Sequence, residues 1–296
     1  MNEQSIPLSD QLANISPTIV VAVIAGFTIL RLALVKLLRD NWARTISETC
    51  DTVTFVLALA FLLIRPFVAQ AFYIPSESMV PTLEIGDRLI VDKMSFRFRD
   101  PQRGDVLVFA APPLATGSPT LEQDYIKRCI GLPGDKIEVR GAKLTVGAEV
   151  FESQGADSNA HAAPQELRNR LGIDDRKSVK FFKDYVLVNR TEKILPADIA
   201  RQFGQPGAKV EITPGEVLIN DKPLDEPYTN EDPGYNMTEI PYLENGGNVL
   251  PPGHYFMMGD NRNHSADSHV WGKLEKWRIV GRGIVTFWPI TRLGRL

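Results

Sequence analysis

The 296-residue chain is poor in cysteine and lacks the common nucleotide-binding motifs. Its only 2 cysteines, Cys50 and Cys129, support no disulfide framework. No glycine-rich loop of the phosphate-binding or dinucleotide-binding kind occurs, which argues against a nucleotide cofactor. There are no internal repeats and no alternating strand and helix pattern of the kind that builds a parallel sheet. The net charge of −3 argues against a general nucleic-acid binder.

Two long apolar stretches stand near the N-terminus. Residues 15–35 are apolar except for Arg31, and residues 52–74 are apolar except for Arg65 and Gln70. Each approaches the roughly 20 residues that a helix needs to cross a bilayer. The sequence therefore predicts two transmembrane helices. A pair of buried core helices is the alternative, and a cleaved signal peptide fits less well because the preceding residues include acidic side chains and no basic one.

The flanking charges predict how these helices are oriented. Lys36, Arg39 and Arg44 lie between the two stretches, whereas the N-terminal tail has no cation. The positive-inside rule places that connection in the cytoplasm. The chain is thus expected to be a multi-pass protein of the cell (inner) membrane, with everything after residue 74 extracytoplasmic. The two cysteines would then be unable to meet, and Cys129 is expected to be a small buried core residue.

Beyond residue 74 the chain reads as short strands separated by turns, which is typical of an antiparallel β architecture. Residues 141–208 differ in character, with a polar, alanine-rich stretch and a short helix predicted at 196–204, and are interpreted as an insertion. The predicted organisation is an N-terminal tail, two membrane helices and a cytoplasmic loop over 1–74, a catalytic β domain over 75–140 and 209–296, and an insertion subdomain over 141–208. The clearest strand-like runs are residues 88–91, 105–109, 125–130, 136–139, 217–219, 255–258 and 283–288.

Two serines lie in the segment 74–83, Ile-Pro-Ser-Glu-Ser-Met-Val-Pro-Thr-Leu, where the second apolar stretch ends. If this segment is extended, Ser76 and Ser78 fall on the same side. One hydroxyl can then attack a carbonyl while the other, with a backbone N–H, stabilises the developing oxyanion. A Ser-x-Ser pair by itself is weak and usually indicates a turn. Its place at the membrane surface predicts a reactive segment held where a membrane-bound substrate emerges.

A serine nucleophile needs a base, and Lys127 is the candidate. Lys127 and Arg128 lie side by side within the apolar run 125–130, so strand alternation sends them to opposite faces and one can be drawn inward. Arginine does not usefully lose its proton, whereas burial lowers the pKa of a lysine. A Ser–Lys dyad is a recognised variant of hydrolase chemistry. A surface charge on an edge strand is the alternative for Lys127.

The segment 259–269, Gly-Asp-Asn-Arg-Asn-His-Ser-Ala-Asp-Ser-His, offers a competing site, with His254 nearby. A Ser-His-Asp triad built from Ser78 and one of these histidines is a second hypothesis for the mechanism. The irregular spacing of the histidines and aspartates is a weak signal for a metal site. Polar loops of this composition usually stabilise turns.

Together these residues resemble the type I signal peptidases, membrane-anchored serine proteases that remove signal peptides from exported proteins. The resemblance implies a mainly β, antiparallel, barrel-like catalytic domain of the signal-peptidase/LexA-like kind. It also implies two transmembrane helices before that domain and a smaller α/β region inserted into it. The four matching blocks are residues 74–83, 103–109, 125–136 and 259–272, and residues 217–228 resemble the family's hairpin.

The resemblance also assigns roles. It implies Ser78 as nucleophile and Lys127 as general base. The Ser76 hydroxyl and the Ser78 backbone N–H would form the oxyanion hole, Ser265 would orient the lysine amine, and Asp267 would be a supporting carboxylate. The positions that match the pockets for small substrate residues are Phe72, Ile74, Pro75, Met79, Leu83, Tyr125 and Ile126.

The chain departs from the commonest family pattern at Asn263, His264 and His269. His269 stands where many members carry an arginine, so a permanently charged support for the aspartate is not expected. The implied function is cleavage of exported preproteins after a small-x-small motif, without a metal or organic cofactor. The expected partners are preproteins, membrane lipid and the secretion machinery, and no nucleic acid.

Two other functional hypotheses remain at this point. A self-cleaving regulator of the related Ser–Lys type would couple the β domain to a DNA-binding segment, whereas this N-terminus is apolar. A membrane-tethered β module would bind exported chains without cutting them, although both reactive positions are occupied here. Trp277, Phe287 and Trp288 are expected either to seat the β domain on the membrane surface or to pack in its core.

Overall fold

The computed structural model describes residues 17–37, 41–118, 120, 123–152, 163–244 and 246–296. The chain forms two compact units, which we describe separately. The first comprises the described residues of Met1–Tyr73, Gly86–Asp100 and Gly281–Arg295, and the second comprises Ile74–Ile85, Pro101–Val280 and Leu296. The three-part division predicted from the sequence stays a prediction.

The first unit begins with the two expected apolar helices. Thr18–Lys36 and Arg44–Phe67, of 19 and 24 residues, are long and apolar enough to cross a membrane by length and composition. Arg31 Nε of the first helix lies 3.0 Å from Asp51 Oδ1 of the second, so the off-centre arginine has a carboxylate partner. The helical elements are α1 (Pro17–Leu37), α2 (Asn41–Ala58), a π-helical continuation (Leu59–Ile64) and α3 (Arg65–Phe67).

The second helix ends earlier than the predicted residue 74. Residues Ala69–Tyr73 form strand β1, which pairs antiparallel with β2 (Arg88–Asp92) and sets Phe72 opposite Leu89. The backbone groups of this stretch are therefore satisfied by a neighbouring strand instead of a helix. A continuous apolar run is compatible with either element, so hydropathy alone places this boundary wrongly.

The remaining strands of the first unit continue the antiparallel pairing of β1 and β2. Strand β2 also pairs with β16 (Ile279–Trp288), and β16 pairs with β17 (Gly294–Arg295). At Gly281 a Cβ atom would lie 2.4 Å from the carbonyl oxygen of Asp92, so only glycine permits this approach of the two backbones.

The second unit is built around strand β4 (Asp124–Gly131). It pairs antiparallel with β3 (Val106–Ala110) over residues 124–128 and with β14 (His254–Met258) over residues 128–131. Lys127 lies opposite Leu107, and both faces of this part of the strand are covered. The sequence predicts that one of Lys127 and Arg128 turns inward, but both are buried. The short strand β15 (Leu274–Glu275) pairs with β14 on its other side.

One region of the second unit, residues 142–212, has an apolar core of its own. Its core includes the fully buried side chains of Leu144, Val186 and Ile199. The helix predicted at 196–204 is confirmed as Pro196–Gln202; proline occupies its first turn, and Gly204 follows with φ of +68°. Most of the polar stretch predicted before this helix, residues 153–162, lies outside the described residues.

This region forms two three-stranded antiparallel sheets. The first consists of β7 (Glu149–Glu152), β6 (Lys143–Val146) and β11 (Val210–Thr213), and the second of β8 (Val179–Phe182), β9 (Tyr185–Val188) and β10 (Glu192–Ile194). A third such sheet, of β5 (Ile137–Arg140), β12 (Glu216–Ile219) and β13 (Lys222–Pro223), lies in the same unit. The seven predicted strand-like runs all correspond to observed strands, so the mainly antiparallel β class is confirmed. The remaining elements are α4 (Pro113–Thr116), α5 (Gln165–Leu171), α6 (Pro196–Gln202) and α7 (Ser268–Trp271).

Candidate active site

The serine segment forms turns and is not extended. The N–H of Val80 donates to the carbonyl of Glu77 at 3.0 Å, which bends the chain around Ser78. The expected alternation is therefore wrong for this segment. The two hydroxyls nevertheless converge, with 3.4 Å between Ser76 Oγ and Ser78 Oγ, because the turn brings them to one side.

The loop at 259–261 fixes the backbone of Ser78. The N–H of Asn261 donates to the Ser78 carbonyl at 3.1 Å, and the Asn261 side-chain amide donates to the Glu77 carbonyl at 3.2 Å. At Gly259 a Cβ atom would lie 2.4 Å from the Ser78 carbonyl oxygen and 2.3 Å from Ser265 Oγ. Position 259 therefore requires glycine because the two segments approach so closely.

Lys127 reaches the same serine from strand β4. Its Nζ lies 2.7 Å from Ser78 Oγ and 3.0 Å from the carbonyl oxygen of Ile126. Only 5% of Lys127 and 6% of Ser78 are exposed. Burial lowers the pKa of Lys127 from its ordinary 10.5 to about 8, although the carboxylates of Asp267 and Asp260 favour the charged form. The surface-charge alternative for Lys127 is wrong, and its amine can take a proton from the hydroxyl it contacts.

The histidines do not join this pair. In the part of the chain that the structure describes, no histidine makes a hydrogen bond with Ser78. His264 Nδ1 instead lies 3.6 Å from Glu77 Oε1, and His269 Nδ1 lies 2.6 Å from Asp267 Oδ1. The geometry therefore favours a Ser–Lys pair over a Ser-His-Asp triad. Since these side chains turn to different carboxylates, the geometry does not support the metal hypothesis for the loop either.

A buried ion pair behind the strand was not foreseen from the sequence. Arg128 binds Asp260 through two hydrogen bonds, Nε to Oδ1 at 2.8 Å and Nη2 to Oδ2 at 2.6 Å. The hydroxyl of Thr82 donates to the same carboxylate, and the Arg128 guanidinium lies 4.0 Å from the centre of the Tyr228 ring. This cluster ties β4 to the serine segment and to the loop at 259–261. The one feature of the sequence that points to this ion pair is Arg128 within an apolar run, because a buried guanidinium needs an acidic partner.

Ser265 and Asp267 lie behind the Ser–Lys pair. Ser265 is buried, and its hydroxyl is not bonded to Lys127, so that expected bond is not formed here. The hydroxyl instead contributes to the environment of the Asp267 carboxylate and helps to lower the pKa of that group. Asp267 accepts a hydrogen bond from the N–H of Gly259 at 2.8 Å and thereby holds the close-approach glycine. Burial on its own would raise the pKa of Asp267, but the imidazole of His269 and the N–H of Gly259 lower it below its ordinary value.

The predicted pocket residues fall into two groups. Met79 and Leu83 are fully buried and Ile74 nearly so, which means that they anchor the serine segment and present almost no surface to a substrate. Pro75 is exposed, and Tyr125 and Ile126 are half-buried on the strand that carries Lys127. That all seven residues line shallow pockets for small substrate residues stays a prediction, and the burial of the first three places them beneath any such surface. The seventh, Phe72, is half-buried in β1 of the first unit.

The structure also shows how exposed Cys129 and the three aromatic residues 277, 287 and 288 are. Cys129 is completely buried, and burial raises the pKa of its thiol to about 12, in agreement with a core residue. Trp277 is 73% exposed, Trp288 is 50% exposed and Phe287 is 37% exposed. The core-packing alternative for these three aromatic residues is therefore wrong.

Comparison with known proteins gives consistent matches over most of the chain. The family model described as "Signal peptidase, peptidase S26" matches residues 46–193 and 182–288, which include the serine segment, Lys127 and the loop at 259–269. Signal peptidase I of Leptolyngbya laminosa is 34% identical over 245 residues, covering 82% of this chain and 79% of that protein. Probable signal peptidase I-1 of Synechocystis sp. is 33% identical over 251 residues, covering 85% and 87% of the two chains. Probable signal peptidase I-2 of the same organism is 33% identical over 233 residues, covering 79% and 69%.

Proposed function

This chain belongs to the signal peptidase family, peptidase S26, and we propose that Ser78 and Lys127 are the nucleophile and general base with which it removes signal peptides. It is a serine endopeptidase, and its substrates are preproteins that carry signal peptides. The observation that carries the assignment is the buried contact of 2.7 Å between Lys127 Nζ and Ser78 Oγ. The lowered pKa of Lys127 supports it, because a base must be able to lose its own proton first.

The proposed reaction proceeds through an acyl-enzyme. Ser78 Oγ attacks the scissile carbonyl while its proton passes to Lys127 Nζ. The ammonium of Lys127 then protonates the amine of the departing mature protein as the C–N bond breaks. The signal peptide remains as an ester on Ser78. Lys127 next takes a proton from a water molecule, the resulting hydroxide attacks the ester, and the proton returns to Ser78 as the signal peptide leaves with a free carboxyl group.

Ser76, Ser265 and Asp267 have supporting roles in this proposal. The Ser76 hydroxyl, 3.4 Å from Ser78 Oγ, donates with the Ser78 backbone N–H to the oxyanion. The buried Ser265 hydroxyl, which helps to lower the pKa of Asp267, accepts a hydrogen bond from the Lys127 ammonium once Ser78 is acylated. Asp267 keeps Gly259 against the Ser78 carbonyl and so fixes the attacking residue.

We expect an extended substrate to bind along the first half of β4. Strand β14 pairs with β4 only from Arg128 to Gly131, which leaves residues 124–127 with one edge for a substrate backbone. Pro75, Tyr125 and Ile126 would border the substrate side chains, and the packed Met79 and Leu83 would close the floor beneath them. A shallow floor of this kind favours small residues and thus a small-x-small cleavage motif.

Membrane attachment and orientation also remain proposals. The two apolar helices support a multi-pass anchor in the cell (inner) membrane, with the catalytic unit on the extracytoplasmic side. The exposed indoles of Trp277 and Trp288 support contact of the β structure with lipid headgroups. Cooperation with the secretion machinery would follow from that location.

The decisive experiment compares purified variants on a preprotein. Ser78→Ala and Lys127→Ala should each lower kcat/KM by about 10³-fold or more, because each removes one half of the dyad. Lys127→Arg should be nearly as inactive, since guanidinium keeps charge but exchanges no proton. Lys143→Ala is the matched control, because this half-exposed lysine lies on β6 and forms a salt bridge with Glu152.

Undiminished cleavage by Ser78→Ala or Lys127→Ala would refute the catalytic role that is proposed for that residue. A peptide-mimetic acylating inhibitor should label Ser78 in the wild type and leave Ser78→Ala unlabelled. Preprotein binding without labelling or cleavage would instead favour the non-catalytic β module.

A further inference from the structure

His269 makes a close contact with the carboxylate behind the catalytic pair. Its Nδ1 lies 2.6 Å from Asp267 Oδ1, and its backbone N–H donates to the same oxygen at 3.2 Å. The two side chains are only 2% and 0% exposed. The imidazole ring also stacks on Tyr235 with 4.1 Å between ring centres, which fixes its plane. Sequence similarity alone does not assign a role to this histidine.

The charge of Asp267 reaches the catalytic lysine. Burial is the main influence on the pKa of Lys127, and Asp267 is the strongest of the charges that oppose it. The second oxygen of Asp267 accepts the N–H of Gly259, the residue packed against the Ser78 carbonyl. Asp267 therefore links His269 to the dyad both electrostatically and through the backbone.

Three ionisable groups of the surroundings, Tyr235, Arg262 and Arg128, have their charge fixed by their own environment. Tyr235, from the loop before β14, is buried, and burial keeps its pKa well above the ordinary value, so it faces the imidazole as a neutral phenol. Arg262, beside that phenol, is held by Glu226 at 2.6 Å. On β4, Arg128 is paired with Asp260. A change of charge on His269 therefore acts mainly on Asp267, and through Asp267 on Lys127.

We propose that His269 is a positioning residue whose proton controls the catalytic base: when the imidazole is protonated it neutralises Asp267, and Lys127 then gives up its proton more readily. When the imidazole is neutral, the Asp267 carboxylate holds the lysine proton more strongly. The inference rests on the proposed role of Lys127 as general base. An arginine at position 269 would give the same support at every pH, whereas histidine makes it dependent on acidity.

The test compares His269→Arg, which fixes the charge, with His269→Gln, which keeps a hydrogen-bond donor without charge. The pH dependence of kcat/KM for preprotein cleavage is measured with the full chain in detergent micelles. The rising, acid-side limb for His269→Arg should lie at lower pH than that for His269→Gln by about half a pH unit or more. Coincident limbs would overturn the proposal, because a purely structural role for His269 would not move this midpoint.

Two further measurements keep the test valid if arginine does not fit the buried site. The ratio of kcat/KM for wild type to that for His269→Gln should grow as the pH falls, because the wild-type imidazole gains a proton; a constant ratio would contradict the inference. Adding Asp267→Asn to both variants should abolish the separation of their limbs, and a persisting separation would exclude coupling through Asp267. Tyr235→Phe keeps the stacked ring and all charges, so its acid limb should coincide with that of wild type.

Failure of this inference is distinguishable from failure of the proposed function. The His269, Asp267 and Tyr235 variants all retain Lys127, so this inference concerns only the midpoint of the acid-side limb of kcat/KM. Loss of the base assignment would appear separately, as undiminished cleavage by Lys127→Ala.

Discussion

The lowered pKa of Lys127 leads to a quantitative prediction for catalysis. With a pKa of 10.5, only about one amine in three thousand is neutral at pH 7. At the value of about 8 that burial produces, the neutral fraction at pH 7 is about one in ten. Burial therefore raises the amount of competent base by roughly 300-fold. We expect kcat/KM to rise about tenfold per pH unit on the acid side and to level off above pH 8 or so.

The assay needs a readout in which only the enzyme titrates. Cleavage of a preprotein can be followed between pH 6 and 10, together with acylation of Ser78 by an inhibitor without ionisable groups. Both should give the same acid-side midpoint near 8. A midpoint near 10.5, or a flat profile across this range, would refute the argument that burial creates the base.

The same shift predicts how stability depends on pH. Between about 8 and 10.5 the unfolded chain binds a proton at Lys127 that the folded chain does not, so the free energy of unfolding rises with pH in this window. Relative to Lys127→Met, which has no such proton, wild type should gain roughly 3 kcal/mol across the window and nothing outside it. The difference in unfolding free energy is measured by denaturation in detergent at several pH values. A difference that does not change with pH would mean that the folded and unfolded amines titrate alike.

Two further predictions concern the supports of the dyad. Gly259→Ala places a methyl group 2.4 Å from the Ser78 carbonyl oxygen and should lower kcat by about 10²-fold or more, because it displaces the proposed nucleophile. Gly26→Ala is the matched control, since nothing lies within 4 Å of the added methyl group there. A kcat of Gly259→Ala within threefold of wild type would contradict the close-approach argument. Asp260→Asn leaves the Arg128 guanidinium buried without its carboxylate and should destabilise the second unit by about 3–5 kcal/mol, measured by denaturant unfolding; an unchanged midpoint would show that the ion pair contributes nothing to stability.

Much of the fold was accessible from the sequence because strand patterns and turn residues are local signals. The strands around Lys127 and the insertion helix at Pro196–Gln202 follow from alternation, proline and glycine placement. Hydropathy misplaces the end of the second apolar helix, because the strand Ala69–Tyr73 is apolar enough for a helix. Its pairing with Arg88–Asp92 is a tertiary fact that hydropathy does not contain.

The sequence indicates which residues form the candidate site better than it indicates how they are arranged in space. Lys127 was singled out by its apolar neighbours, and the structure buries it against Ser78. The convergence of Ser76 and Ser78 was expected from an extended chain, yet a turn produces it. The pairing of Arg128 with Asp260 joins residues 132 positions apart and has no local signature. Burial of Met79 likewise depends on which segments close over it.

The loop at 259–261 that holds the serine is translated long after the serine itself. Asn261 lies 184 positions beyond the Glu77 carbonyl that it binds, and its N–H also secures the Ser78 carbonyl. A growing polypeptide that already contains Ser78 and Lys127 therefore still lacks the clamp that orders the nucleophile. The backbone of Ser78 can take its final place only after residue 261 has been synthesised and has folded against it.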